Sequence, residues 1–125
     1  MPTHPMFTRV RELIATWPET AERLSHGSPT FWGGKKTFCS FHDAPDKYGG
    51  RAVWIKATLE AQEGLVEQDP DAFFVPPYVG PSGWIGVRTH DDIDWGLLAQ
   101  LLEDGYRMVA PKRAIKALDA GRGTE

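Results

Sequence analysis

Cys39 and His42 stand three residues apart in a run of strand-forming residues, Lys36-Thr37-Phe38-Cys39-Ser40-Phe41-His42. A thiol within reach of an imidazole is the nucleophile–base pair of covalent catalysis. A β-strand turns successive side chains to opposite faces, so residues three apart diverge. Cys39 is therefore expected to be a buried structural residue and His42 a surface one. Ser25 and His26 are adjacent and face apart for the same reason, and His90, just before Asp91-Asp92, reads as a turn residue. No nucleophile, acid and base converge, so the expectation is a protein with no catalytic residues, more a binder than an enzyme.

Metal and nucleotide chemistry find no support in the spacing. His4, His26, His42 and His90 are scattered, and no pair has the separation of a zinc site. Asp91, Asp92 and Asp94 suggest a calcium loop, but the twelfth position counted from Asp91 is Leu102 rather than a bidentate Glu. Helix capping by Asp91 or Asp92 accounts for these acids. Gly33-Gly34-Lys35-Lys36 lacks the spacing of a phosphate-binding loop and lies between strands instead of ahead of a helix. No cofactor and no metal is expected.

The elements that must position these residues follow from periodicity and breakers. Phe7, Val10, Leu13, Ile14 and Trp17 recur at helical spacing, so a helix is expected over residues ~4–17, stopped by Pro18. Short strands follow over 22–26 and 30–32, a longer one over 36–42, and a fourth over 51–56. Gly33-Gly34 and the Asp43–Gly50 stretch are the turns between them. Thr58 caps a second helix to about Gln68, with Glu60 and Glu63 near its positive end. A proline-stiffened aromatic loop, Phe73-Phe74-Val75-Pro76-Pro77-Tyr78, leads to a fifth strand, Trp84–Arg88. Trp95, Leu98, Leu101 and Leu102 form the apolar stripe of a third helix, expected over ~91–110, and Pro111 opens a short basic helix to Ala120, ended by Gly121. Sequential strands on short turns imply an antiparallel sheet of about five strands with the helices mainly on one face, a two-layer α+β fold.

At 125 residues the chain has room for one domain over 1–125. Apolar residues are 41% and charged residues 25%, usual values for a globular protein. No apolar run approaches the ~20 residues of a membrane helix, and Met1-Pro2-Thr3-His4-Pro5 has neither a basic start nor an apolar run, so no leader peptide and no membrane partner are expected. One cysteine excludes an internal disulfide. Together these point to the cytoplasm. The net charge of −3 conceals a polarity: residues 1–56 hold eight Lys/Arg against five Asp/Glu, 57–105 one against ten, and 106–125 five against two.

Along nearly its whole length the chain resembles the MmcQ/YjbR-like proteins. The resemblance is carried by His26-Gly27-Ser28-Pro29-Thr30-Phe31 with Lys35-Lys36-Thr37-Phe38, by Val53-Trp54-Ile55-Lys56, by the Pro-Pro-Tyr loop into Trp84-Ile85-Gly86-Val87, and by Leu101-Leu102-Glu103-Asp104-Gly105-Tyr106. Many members carry Ser before the tyrosine, where this chain has Gly105. The resemblance implies a small α+β fold. It also implies a DNA-binding role, since the family has been described as a double-wing DNA-binding type, and it supplies no catalytic residues.

The surface argument gives two kinds of site. If Val53, Ile55, Ile85 and Val87 face the helices, then Trp54, Lys56, Trp84 and Arg88 share the other face of the sheet. Basic groups interleaved with aromatics suit phosphate contact plus stacking. With the turn residues Lys35, Lys36, Lys47 and Arg51, and Lys112, Arg113 and Lys116 of the last helix, they make a surface for weak, non-specific binding of duplex DNA. The competing reading puts Trp54 and Trp84 in a core with lysines at its rim. Trp54, Phe74, Tyr78 and Trp84 are then the candidates to line a groove for a small ligand or a protein segment.

Overall fold

The computed structural model describes residues 4–44, 50–89 and 93–122. Helix α1 (Pro5–Ala15) leads into strands β1 (Thr20–Ser25), β2 (Ser28–Gly33), β3 (Lys36–Ala44) and β4 (Gly50–Ile55). Helix α2 (Leu59–Gln68), the two-residue strand β5 (Phe73–Phe74), a 3-10 turn (Gly80–Ser82) and strand β6 (Ile85–Arg88) follow, then α3 (Trp95–Val109) and α4 (Lys112–Arg122). The sheet is six-stranded and antiparallel throughout, in the order β1-β2-β3-β4-β6-β5. The sixth strand comes from the stretch expected to be all loop: Phe73 and Phe74 pair with Val87 and Gly86 before the prolines end the ladder.

Local chemistry sets the element ends. Thr58 Oγ1 accepts from the Ala61 amide at 3.1 Å and caps α2 as expected. The cap of α3 is Asp94, whose Oδ1 accepts from the Leu97 amide at 3.1 Å; Asp91 and Asp92, together with His90, lie outside the described residues. The expected cap is thus two to three residues early. Pro111 separates α3 from α4, and α4 runs through Gly121 to Arg122.

All four helices cover one face of the sheet. Phe7, Val10 and Ile14 of α1 and Leu98, Leu102 and Tyr106 of α3 are buried against Phe31, Phe41, Val53, Ile55, Ile85 and Val87, with Leu65 and Val66 of α2 and Leu118 of α4 at the margin. Phe41 stands between Phe7 and Phe31, with ring centroids 4.7 and 4.8 Å away. Each ring removed from water contributes about 1.5–3 kcal/mol. The Tyr106 hydroxyl donates to the Pro18 carbonyl at 2.6 Å, so α3 holds the exit of α1. Cys39 lies in this core, where burial pushes its thiol pKa well above the usual value.

One departure from simple alternation shapes both faces. Phe31 pairs with Cys39 but Trp32 pairs with Thr37, so Phe38 is an extra residue in β3. Plain alternation along the strand would group Phe38 with Ser40 and His42, and the extra residue overturns that. Phe38 joins Cys39 on the helix side, 5.7 Å from the Tyr106 ring and 6.3 Å from Trp17, and Thr37 shares the opposite face with Ser40 and His42.

Gly105 explains why α3 sits so close to the sheet. A Cβ there would lie 2.8 Å from the Lys56 carbonyl oxygen and 3.1 Å from Ile55 Cγ2. Gly105→Ser should therefore force α3 outward and lower stability by about 1–3 kcal/mol, as overpacking does. Chemical denaturation checks this, and an unchanged midpoint would show that the helix has room to move.

Candidate functional site

The face of the sheet away from the helices carries its own structure. Ala52, Trp54 and Trp84 are buried there, with Phe74 and Val79 packed beside them. Trp54 is 5% and Trp84 7% exposed, so the aromatic-and-basic open surface does not form and the two tryptophans are core residues of a second, smaller cluster. Gly86 makes this possible: Phe74 lies across it, with ring atoms 2.3–2.5 Å from where a Cβ would stand. Arg88 closes that end, its guanidinium 4.7 Å from the Phe74 ring centre and donating to the carbonyls of Pro70 and Asp71 at 3.2 Å each.

Beyond this capped end the face opens into a groove of about 630 Å³. Its floor is β2, β3 and β4, which contribute Ser28, Thr30, Thr37, Ser40, His42 and Trp54. One wall is the β1–β2 turn with Ser25 and His26. His26 (φ 51°) and Gly27 (φ 81°) are both left-handed, the conformation a two-residue hairpin needs to match strand twist. The other wall is Tyr78, Val79 and Trp84. The Val79 amide donates to the Pro77 carbonyl at 2.7 Å, closing a tight turn around Tyr78, which has φ 67° and is 80% exposed. Such backbone is costly for a residue with a Cβ and survives only where its surroundings fix it. Here Pro76 and Pro77 stiffen the approach, and buried Gln62 donates to the carbonyls of Gly80 at 2.9 Å and Trp84 at 2.6 Å.

His42 is the centre of the groove. Its ring stacks on Trp54 with centroids 3.5 Å apart and planes 19° off parallel. The Ser40 hydroxyl is 2.8 Å from Nε2 and the Ser28 hydroxyl 3.5 Å from Nδ1. Burial pushes the His42 pKa down to about 4, so the ring is neutral at pH 7, with one nitrogen donating and the other accepting. His42 was expected to be a surface residue and is instead half-buried. Its separation from Cys39 by the sheet is as expected, with the thiol on the helix side. The groove residues the spacing did not single out include Ser28, Thr30, Thr37 and Ser40. Their signal was there in part, as hydroxyls two apart on β2; on β3 Thr37 and Ser40 are three apart, and only the extra residue Phe38 brings them to one face.

The basic residues divide. Arg113 makes two bonds to Glu19, at 2.6 and 2.7 Å, and Arg51 donates to Thr89 Oγ1 at 3.0 Å and its carbonyl at 3.2 Å. With Arg88, these serve the fold. Lys47 lies outside the described residues. The four exposed lysines among the described residues gather at one end: Gly34 abuts the Pro111 ring, so the turn bearing Lys35 and Lys36 lies against the start of α4, which bears Lys112 and Lys116. Lys56, half-buried, bonds through its amide to Phe38 at the same end of the sheet.

A second hollow of about 360 Å³ lies between β5, β6 and the start of α3. Of its acids, Asp69 accepts from the Ala72 amide and Asp94 caps α3. Among the described residues no group of three or more His, Cys, Asp or Glu side chains is placed to hold a metal, and no helix is long and apolar enough to cross a membrane.

Comparison with known proteins places this architecture. The YjbR family model matches residues 15–108, which spans β1 to the last turns of α3. The chain belongs to the YjbR family. The crystal structure of Deinococcus radiodurans protein DR2400, with a DUF419 domain, aligns with a TM-score of 0.73 over 90% of this chain and 87% of that one, at 18% identity. At that identity the likeness speaks for the fold alone. No curated protein matches. The family match covers the whole groove of this YjbR protein and all but α4 of its lysine cluster.

The low pKa of His42 has a consequence for stability. Unfolded, the imidazole titrates near 6.5; folded, near 4. The unfolded state therefore binds the proton first, and stability is full above about pH 6.5 and declines as pH falls towards 4. His42→Phe, which keeps a flat ring on Trp54, should abolish that part of the decline. Denaturation at pH 7 and pH 4.5 checks this, and an unaltered pH dependence in the variant would assign the effect to other groups.

Proposed function

We propose that this YjbR-family protein binds a small organic molecule in the groove on the open face of its sheet. One observation carries the reading: hydroxyls from three strands and a neutral imidazole converge on an aromatic-lined cleft of about 630 Å³. That size and mix of apolar walls with a few placed polar groups is typical of ligand sites. The site also rests on paired strands and a proline-stiffened wall, so little order has to be gained on binding. An NMR screen of small fragments should give hits whose shifts map to Ser28, Thr30, Ser40 and Trp54. Ser28→Trp, which fills the groove, should remove them while changing stability by no more than about 1 kcal/mol. Hits scattered over the surface, or undisturbed by Ser28→Trp, would reject the groove.

A second reading, duplex DNA, is favoured by the gathering of Lys35, Lys36, Lys112 and Lys116. None of these is in an ion pair among the described residues. The net charge of −3 and the ten acids of residues 57–105 oppose it. Binding through this cluster would be non-specific, with a dissociation constant of about 10⁻⁴–10⁻⁶ M at physiological salt. Each lysine replaced by Ala should lower the salt slope by about one unit. Anisotropy of labelled duplex across a salt series decides it: no binding at low salt removes the reading.

A further inference from the structure

Granting the groove as a ligand site, we infer that its ligand is an uncharged, flat ring system with hydrogen-bonding edges, such as a neutral heteroaromatic amide or lactam. The argument begins with what lines the cleft. Of its eleven residues none is Asp, Glu, Lys or Arg. Arg23 is on the same face but lies over the Trp32 ring, 4.3 Å from its centre, and does not line the groove. Arg88 is held at the capped end by Phe74 and two carbonyls. A carboxylate or phosphate entering the cleft would lose water and meet no opposite charge, which is strongly unfavourable. A cation would find no carboxylate.

The polar groups present suit a neutral partner. Ser25, Ser28, Thr37 and Ser40 carry hydroxyls that both donate and accept, the Thr30 hydroxyl donates to the Ser28 carbonyl at 2.9 Å and keeps its lone pairs to accept, and the Ser28–His42–Ser40 chain can present either polarity by rotating its hydroxyls. Neutral amides and lactams carry a donor and an acceptor side by side and would satisfy such a set. The rings speak for flatness: His42, stacked on Trp54, is in the floor and Tyr78 and Trp84 are in the wall, and rings bind best to other flat, polarisable surfaces in offset or edge contact.

The test uses pairs matched in shape and differing in charge: nicotinamide against nicotinate, and uracil against orotate, with cyclohexanecarboxamide as the non-planar control. Each is titrated into the ¹⁵N-labelled protein at pH 7 while the amides of Ser40, His42 and Trp54 are followed. Nicotinamide and uracil should bind, their anionic partners at least roughly tenfold more weakly, and the saturated amide more weakly than nicotinamide. Ser40→Ala should weaken the neutral probes several-fold with the fold intact. Equal binding of the anions or of the saturated amide overturns the inference and leaves the groove standing. Unchanged binding to Ser40→Ala overturns the role of the hydroxyls. No shift at these amides with any probe also overturns the inference, and the groove itself is then judged by the fragment screen and Ser28→Trp.

Discussion

The extra residue in β3 is the constraint on which both halves of this molecule depend. Because Phe31 pairs with Cys39 and Trp32 with Thr37, Phe38 turns to the helix side and fills the space between Trp17 and Tyr106. Regular alternation would send that ring to the opposite face, where it would block the groove, and would place the Thr37 hydroxyl in the core without a partner. A bulge costs local pairing, but here it places an apolar ring and a hydroxyl in the surroundings each requires.

The helix-side core then fixes the rest. Gly105 lets α3 approach β4 and Tyr106 ties α3 to the end of α1, so the sheet is held rigid from behind. The second face is finished by a different device. The two-residue β5 brings Phe74 over Gly86, and the loop beyond it, anchored by Gln62, leans over Trp84. The groove lies between that loop and the β1–β2 turn, on strands that gain little freedom from one another. The outer strand β1 carries exposed charge on both sides, Glu22 with Arg11 on one and Arg23 on the other, a feature that disfavours edge-to-edge pairing.

Arginine and lysine behave differently across this surface. Arg51, Arg88 and Arg113 have planar, many-donor heads and are drawn into carbonyls and a carboxylate. The lysines at the Gly34–Pro111 contact stay in water. A count of basic residues along the chain therefore overstates the charge that remains available to a polyanion.

From the sequence by itself came the element order apart from β5, the antiparallel sheet under helices, the capping role of Thr58, the separation of Cys39 from His42, and the sides taken by Val53, Ile55, Ile85 and Val87. These follow from period, breakers and caps, which act over a few residues. Trp54, Phe74, Tyr78 and Trp84 were likewise legible as candidates beside the sheet, since alternation and prolines mark them. Only the tertiary structure decided that Trp54 and Trp84 are buried on the far face, that Arg88 folds onto Phe74, and that Ser28, Thr30, Ser40 and His42 meet in one cleft. It also decided that Lys35 and Lys36 sit beside Lys112 and Lys116. Each of these depends on a bulge at Phe38, a two-residue strand at Phe73–Phe74, or a contact between Gly34 and Pro111. They are fixed by pairings between residues distant in the chain, and no local pattern records which partner a strand or a turn will meet.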